Sequence, residues 1–146
     1  MANVRGCNLP DDLLYDVDNH IWYREVGDGT VKLGMTTVAT AMAGQLVAFT
    51  PKKAGRSVEA GKSCATVESG KWVGPAKAAF DAAVVAVNED LAGKPSLANE
   101  DPYGAGWLVI LKPADWAAAK GSLTPGAEVA PKYEAKMAAD NFKGCA

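Results

Sequence analysis

The sequence predicts a β-rich sandwich or small barrel with helices at its periphery. Short apolar runs recur between turn signals, the pattern of compact antiparallel sheets. Stretches compatible with helix lie mainly toward the ends of the chain. No low-complexity linker and no array-type repeat divides the 146 residues, a length that fits one domain with a modest core.

Each element follows from local chemistry. Leu9 to Tyr15, with Pro10 and two acids at its start, predicts a short helical turn. Ile21–Val26 is a strand, Gly27-Asp-Gly29 a hairpin turn, and Thr30–Leu33 the returning strand. Met35–Ala43 reads as a short helix and Gln45–Phe49 as the next strand, ended by Thr50-Pro51. Ala54–Lys62 is a polar turn region with Val58 as its buried anchor. Cys64 to Glu68 alternates as a half-buried strand and runs into the turn Ser69-Gly-Lys71. Trp72–Ala79, interrupted by Gly74 and Pro75, has no assignable state. Ala83–Val87 and Trp107–Leu111 are strong strands, with a turn at Asn88–Leu91. Pro113–Lys120 reads as a helix stopped by Gly121, and Glu128–Phe142 as a second one whose first turn contains Pro131.

Composition narrows the function. With 49% apolar and 22% charged residues, the chain has the balance of a soluble globular protein. No apolar run reaches the length of a membrane span, and the N-terminus lacks a signal-peptide apolar region, so the expected location is cytoplasmic, without membrane insertion. A net charge of −2 offers no general basic surface for nucleic acid. Three cysteines, far apart and odd in number, argue against a disulfide framework. One histidine and no Cys-x-x-Cys pair argue against zinc, so no metal is expected. Cys64 reads as a buried hydrophobe. Cys7 and Cys145, in polar Gly-flanked termini, are candidate reactive thiols; they can also pair with each other, and the sequence does not choose.

No catalytic constellation assembles. Gly61-Lys62-Ser63 has the ending of a phosphate loop, but Arg56 stands where its first glycine belongs. His20 has no accompanying nucleophile and paired carboxylate, so a structural hydrogen bond is the better reading than acid–base catalysis. Lys71 stands at the tip of a tight turn between strands, where another enzyme can reach and acylate it, although most such lysines are merely solvated.

Larger strings carry a resemblance. Asn99-Glu-Asp-Pro-Tyr-Gly-Ala-Gly-Trp107, Glu68-Ser-Gly-Lys71 and Val85-Ala-Val-Asn-Glu89 together resemble the H protein of the glycine cleavage system. His20-x-Trp22, Gly27-Asp-Gly-Thr-Val31, Leu33-Gly-Met-Thr36 and Val58-x-Ala-Gly61 extend that resemblance in the right order over most of the chain. It implies a barrel-sandwich hybrid, the lipoyl/biotinyl-carrier type of mainly β fold with short peripheral and C-terminal helices. One domain, 1–146, is implied, with its core at about 15–120 and a C-terminal helical extension at about 121–146. It also implies a non-catalytic carrier with lipoate attached through an amide to Lys71. The implied partners are a lipoate-protein ligase or lipoyl transferase, with lipoamide dehydrogenase a further one.

The departures from that pattern are specific. The family's acidic residue between His20 and Trp22 is here Ile21, and the aspartate four residues after the lysine is Pro75. Those carboxylates serve a cationic aminomethyl cargo, and burying an ammonium without a carboxylate is unfavourable. Gly70 and Trp72 replace a valine and an alanine, and Ala78-Ala-Phe-Asp-Ala82 replaces a Pro/Gly turn, leaving Asp81 as its polar residue. Glu-Ser-Gly-Lys-Trp-Val-Gly-Pro resembles the lipoate-binding proteins of heterodisulfide-reductase-like sulfur-oxidation complexes. That branch implies a sulfur cargo, oxidised from sulfane sulfur toward sulfite, and a heterodisulfide-reductase-like complex as partner; the glycine-cleavage carrier of an aminomethyl group is the alternative. Glu68, Trp72 and His20 are then expected contacts for the arm or for partners. A module that keeps the fold without lipoate is the remaining reading.

Overall fold

The computed structural model describes residues 1–145. The chain opens with a hairpin of β1 (Ala2–Val4) and β2 (Cys7–Leu9), followed by β3 (Leu14–Asp16), β4 (Ile21–Glu25), β5 (Val31–Met35) and helix α1 (Thr37–Ala43). Strands β6 (Leu46–Pro51), β7 (Ser57–Val58), β8 (Ser63–Ser69), β9 (Val73–Lys77) and β10 (Ala82–Val87) come next. Helices α2 (Glu89–Gly93) and α3 (Leu97–Glu100) precede β11 (Val109–Pro113) and α4 (Trp116–Gly121). Strand β12 (Thr124–Pro125), a 3₁₀ turn at Gly126–Glu128 and helix α5 (Val129–Ala139) complete the chain.

Two sheets share one core. The larger has the order β12-β3-β4-β5-β11-β10-β7, and the smaller β6-β8-β9. Ile21, Tyr23, Leu33, Val84 and Leu111 from the first meet Phe49, Cys64, Val67 and Ala76 from the second. Val58 is buried, as the sequence predicts. Burial pushes the Cys64 thiol up to about 12, so it stays protonated and inert.

A second, smaller core lies outside the barrel. Strand β4 buries both its faces: Ile21 and Tyr23 point into the barrel, while Trp22 packs with Leu9, Tyr15, Val38 and Tyr133 under the N-terminal hairpin and α5. The Trp22 indole donates to the Pro102 carbonyl at 2.9 Å.

Four sequence expectations change. Leu9–Tyr15 is not a helical turn. Its ends belong to β2 and β3, because Leu9, Leu13 and Tyr15 bury against α5 and a turn at Pro10–Asp12 joins them. Trp72–Ala79 contains strand β9; Pro75 fits because β9 is a sheet edge, where a missing N–H is tolerated. Asn88–Leu91 opens helix α2, with the Asn88 side chain accepting from Leu91 N. The fourth change concerns the termini: Cys7 and Cys145 are joined in a disulfide, Cα to Cα 5.0 Å, across 138 residues of sequence. Cys7 is wholly buried, so neither residue is a free reactive thiol here; the hairpin and the tail meet over the second core.

Candidate functional site: the lysine hairpin and its groove

Strands β8 and β9 pair antiparallel with Glu68 opposite Val73. The turn between them closes when Ser69 N donates to the Trp72 carbonyl at 2.7 Å and Lys71 N donates to Ser69 Oγ at 3.3 Å. Ser69 is buried, and Lys71 stands exposed at the tip. A short loop on two rigid strands holds the lysine with little conformational freedom in its backbone. A side chain at Gly70 would meet open space, and nothing in the structure requires glycine there.

The Lys71 side chain lies over the end of α1. A Cβ at Gly44 would stand 3.2 Å from Lys71 Cε, and Gly44 itself has a left-handed φ of +83°. Asn99 fixes this corner: its side chain accepts from Leu46 N at 2.9 Å and donates to the Gly44 carbonyl at 2.9 Å.

Beside this corner is an apolar groove of about 280 Å³, lined among others by His20, Ile21, Met35, Met42, Trp72 and Pro75. His20 and Asn19 are the only polar side chains lining it among the described residues, and none of those is a carboxylate. Ile21 and Pro75, distant in sequence, therefore stand in one groove. Trp72 is 41% exposed and covers Gly74 so closely that a Cβ there would lie 2.1 Å from the ring. Trp72 is thus a wall of the groove rather than a core residue.

His20 has a left-handed backbone, φ +57°, and its carbonyl accepts from Thr36 N at 3.1 Å. Its Nδ1 is 3.2 Å from the Tyr133 hydroxyl, and the two rings stack at 5.7 Å. Burial, then Lys136, lowers its pKa below the ordinary 6.5, so the imidazole facing the groove is neutral near pH 7. Burial pushes the Tyr133 hydroxyl well above its usual range, leaving it a neutral hydrogen-bonding group.

Of the expected contacts, Trp72 and His20 line the groove. Glu68 does not; it points outward from β8 between Ala48 and Val73. Asn99, Tyr133, Met42 and Gly44 escaped the sequence reading. Asn99 begins the distinctive string Asn99–Trp107, which was the one signal available, though its work as a clamp shows only in three dimensions. Among the described residues no three His, Cys, Asp or Glu side chains cluster to hold a metal, and no helix is long and apolar enough to cross a membrane.

A β scaffold that displays one lysine on a hairpin beside an apolar groove defines a class: carriers of a covalently attached arm. Residues 13–136 match the glycine cleavage H-protein family, and the chain belongs to that family. It is 54% identical to glycine cleavage system H protein 5 of Aquifex aeolicus over 84% of this chain and 85% of that protein. H protein 2 of the same organism is 44% identical over 92% and 83%. The glycine cleavage system H protein of Mycobacterium avium is 41% identical over 80% and 88%. The crystal structure of an H protein from Mycobacterium marinum, 33% identical, superposes with a TM-score of 0.75 over 89% of this chain and 99% of that one. The fold is therefore the barrel-sandwich hybrid of the lipoyl carriers. Proteins of this family carry lipoate on a lysine and are not themselves catalysts, and this chain is such a carrier.

Proposed function

We propose that Lys71 is the lipoyl attachment site and that the arm serves partner enzymes with a sulfur cargo. The residues fit the group. Lys71 is exposed for a lipoate-protein ligase or lipoyl transferase, and its side chain already lies along the rim of an apolar groove. Amide formation removes the lysine's charge, so the groove holds a neutral chain without an unpaired ion. When bound, lipoate supplies a dithiol–disulfide couple at the end of a flexible tether, which raises its effective concentration at each partner. Ile21, Met35, Met42 and Trp72 would shield such a tether from water, while Asn99 fixes the Gly44 corner under the Lys71 side chain.

One observation carries the cargo reading: Ile21 and Pro75 occupy the same groove, and among the described residues no carboxylate lines it. A cationic aminomethyl group would lose hydration there without gaining a partner; a sulfur species needs no such clamp. The numbered H proteins of one Aquifex strain, to which this chain is 44–54% identical, fit a family that has diversified beyond a single carrier. A heterodisulfide-reductase-like complex is the partner this reading names. The names of the relatives better favour the second reading, a carrier of the aminomethyl group in glycine cleavage, whose partners are the glycine-cleavage enzymes.

Intact-mass measurement separates the readings. Protein made with lipoate gains the lipoyl mass at Lys71, and Lys71→Arg gains none; a modification that survives Lys71→Arg would remove the site assignment. Lipoylated protein is then incubated with glycine decarboxylase and glycine, or with a sulfane sulfur donor and the heterodisulfide-reductase-like complex. A sulfur-derived mass gain supports the first reading, whereas a glycine-derived gain at a rate typical of H proteins sinks it.

A further inference from the structure

We infer that the Cys7–Cys145 bond is a redox-sensitive clasp that sets the position of helix α5 and, through Tyr133, the wall of the groove. The inference stands on the fold and does not need the sulfur cargo or a lipoylated Lys71.

The tail after α5 is held by few contacts besides the disulfide: Phe142 and Cys145 pack on the second core, and Phe142 N donates to the Met137 carbonyl at 2.8 Å. Residues 140–145 form no helix or strand, and Asn141 and Gly144 have left-handed backbones, φ +55° and +133°. Cys145 N donates to the Arg5 carbonyl at 3.0 Å, and Arg5 Nη1 donates to the Phe142 carbonyl at 2.7 Å. The bidentate Arg5–Glu134 pair, Nη2 to Oε1 2.7 Å, joins the hairpin to α5 and not to the tail beyond it. The disulfide is the one covalent tie between tail and hairpin. Beneath it lies the second core, where Val4, Leu9, Tyr133 and Met137 pack together. Tyr133 then reaches out of that core to stack on His20, which lines the groove. A contact path therefore runs from the disulfide through α5 to His20.

The two sulfurs differ in access. Cys7 is wholly buried, whereas Cys145 is half-buried, so an external thiolate meets Cys145 first. A soluble dithiol is the reductant. Its thiolate attacks Cys145 Sγ, the Sγ–Sγ bond breaks, and Cys7 leaves as a thiolate that takes up a proton. The second thiol of the reductant, losing its proton, then displaces Cys145 from the mixed disulfide. The protein gains two electrons and two protons as two cysteine thiols, and the dithiol leaves as a cyclic disulfide. Dithiothreitol and free dihydrolipoamide are dithiols of this class, and either can close to a cyclic disulfide.

The test uses the full unlipoylated chain, purified without reductant, then treated with dithiothreitol or with free dihydrolipoamide. Alkylation mass spectrometry counts the thiols, amide hydrogen exchange maps the opening, and NMR follows the ring of His20. The expected result is alkylation of Cys7 and Cys145 with Cys64 protected. Exchange in α5 and residues 19–21 rises on the order of tenfold or more, the His20 ring signals shift, and reoxidation reverses all three. Free thiols at Cys7 and Cys145 before treatment overturn the inference. So does reduction that leaves residues 19–21 and His20 unchanged. A rise in α5 and residues 19–21 no larger than the rise in β8 and β11, where global unfolding sets exchange, would show only a global staple and would overturn it as well. None of these readouts depends on what Lys71 carries, so failure here leaves the carrier reading intact.

Discussion

The lysine hairpin closes over four consecutive residues, Ser69 to Trp72, on the strength of one backbone bond and one side-chain bond. The second core gathers Val4, Cys7, Trp22, Val38 and Tyr133 from along nearly the whole chain. The first region is local and exposed, and it displays apolar surface: Met42, Val47, Trp72 and Val73, the last 61% accessible, cluster around Lys71. The second is non-local and buried, and it displays nothing. The carrier thus separates the part that partners must reach from the part that holds the termini, and His20 with Tyr133 is the contact that joins them. Substitutions in the second core should therefore lower stability and leave lipoylation alone, while substitutions at the hairpin should change lipoylation and leave stability nearly alone.

The sharpest way to break the comparison is Tyr133→Ala. It empties a fully buried aromatic site between α5, β3 and β4, and truncations of that kind cost about 3–5 kcal/mol. Urea denaturation measures the loss, and ligase-catalysed lipoylation of the folded variant should proceed at the wild-type rate. A parallel fall in lipoylation would mean the regions are not separable. Replacing both Cys7 and Cys145 by serine comes next. The bond closes a loop spanning most of the chain, and removing such a disulfide costs about 2–4 kcal/mol through the freedom returned to the unfolded state. Non-reducing denaturation of the wild type against the double variant reads this directly.

The same contrast explains what the sequence disclosed. The strands around Gly27–Gly29, the helix ending at Ala43, the anchor Val58 and the lysine turn were legible because neighbouring residues decide them. Leu9–Tyr15 misled because Pro10 and its acids look like a helix start, while the burial of Leu9, Leu13 and Tyr15 is set by α5, more than a hundred residues away. Strand β9 was hidden for a related reason: Pro75 is acceptable only at a sheet edge, and edges are a property of topology. The candidate site divides likewise. Lys71 was visible from its turn and from the family string around it, and Ile21 and Pro75 from their departure. That these two share a groove with Trp72 and His20 needed the pairing of β4 with β5 and β8 with β9. The Cys7–Cys145 pairing needed the tail to fold back over the hairpin.

Asn99→Ala sharpens the comparison at a smaller scale, because this buttress of the lysine corner comes from far away in sequence. The truncation leaves Leu46 N and the Gly44 carbonyl without their partner, and an unsatisfied, partly buried group costs about 1–3 kcal/mol. Amide exchange at Leu46 should rise, and Lys71 should lose its fixed position over Gly44. Trp72→Ala should change stability by less than about 0.5 kcal/mol, as substitutions at exposed sites commonly do, while widening the groove. A thermal melt checks the first statement. Tighter or weaker binding of free lipoamide to the unlipoylated chain, followed by intrinsic fluorescence, checks the second.

The smallest effect concerns the joint between the regions. His20 is the chain's single histidine, so its titration is observable without ambiguity. Burial, then Lys136, lowers its pKa from the ordinary 6.5; Asp16, Asp18 and Asp140 pull the other way. The folded state therefore binds a proton less readily than the unfolded chain. By linkage, the contribution of neutral His20 to stability is fully present above pH 6.5 and is lost as pH falls through the lower folded value. The solvated carboxylates Glu25, Glu100 and Glu134, each held below its ordinary 4.5 chiefly by hydrogen bonds from cationic partners, lose their contribution only at more acidic pH. Stability measured at small steps below pH 6.5 should thus fall first through His20. His20→Gln should flatten that part of the curve and leave the acidic part unchanged. Were the dependence to persist in His20→Gln, protonation at the joint would not be what loosens α5 from the groove, and the two regions would be coupled through packing alone.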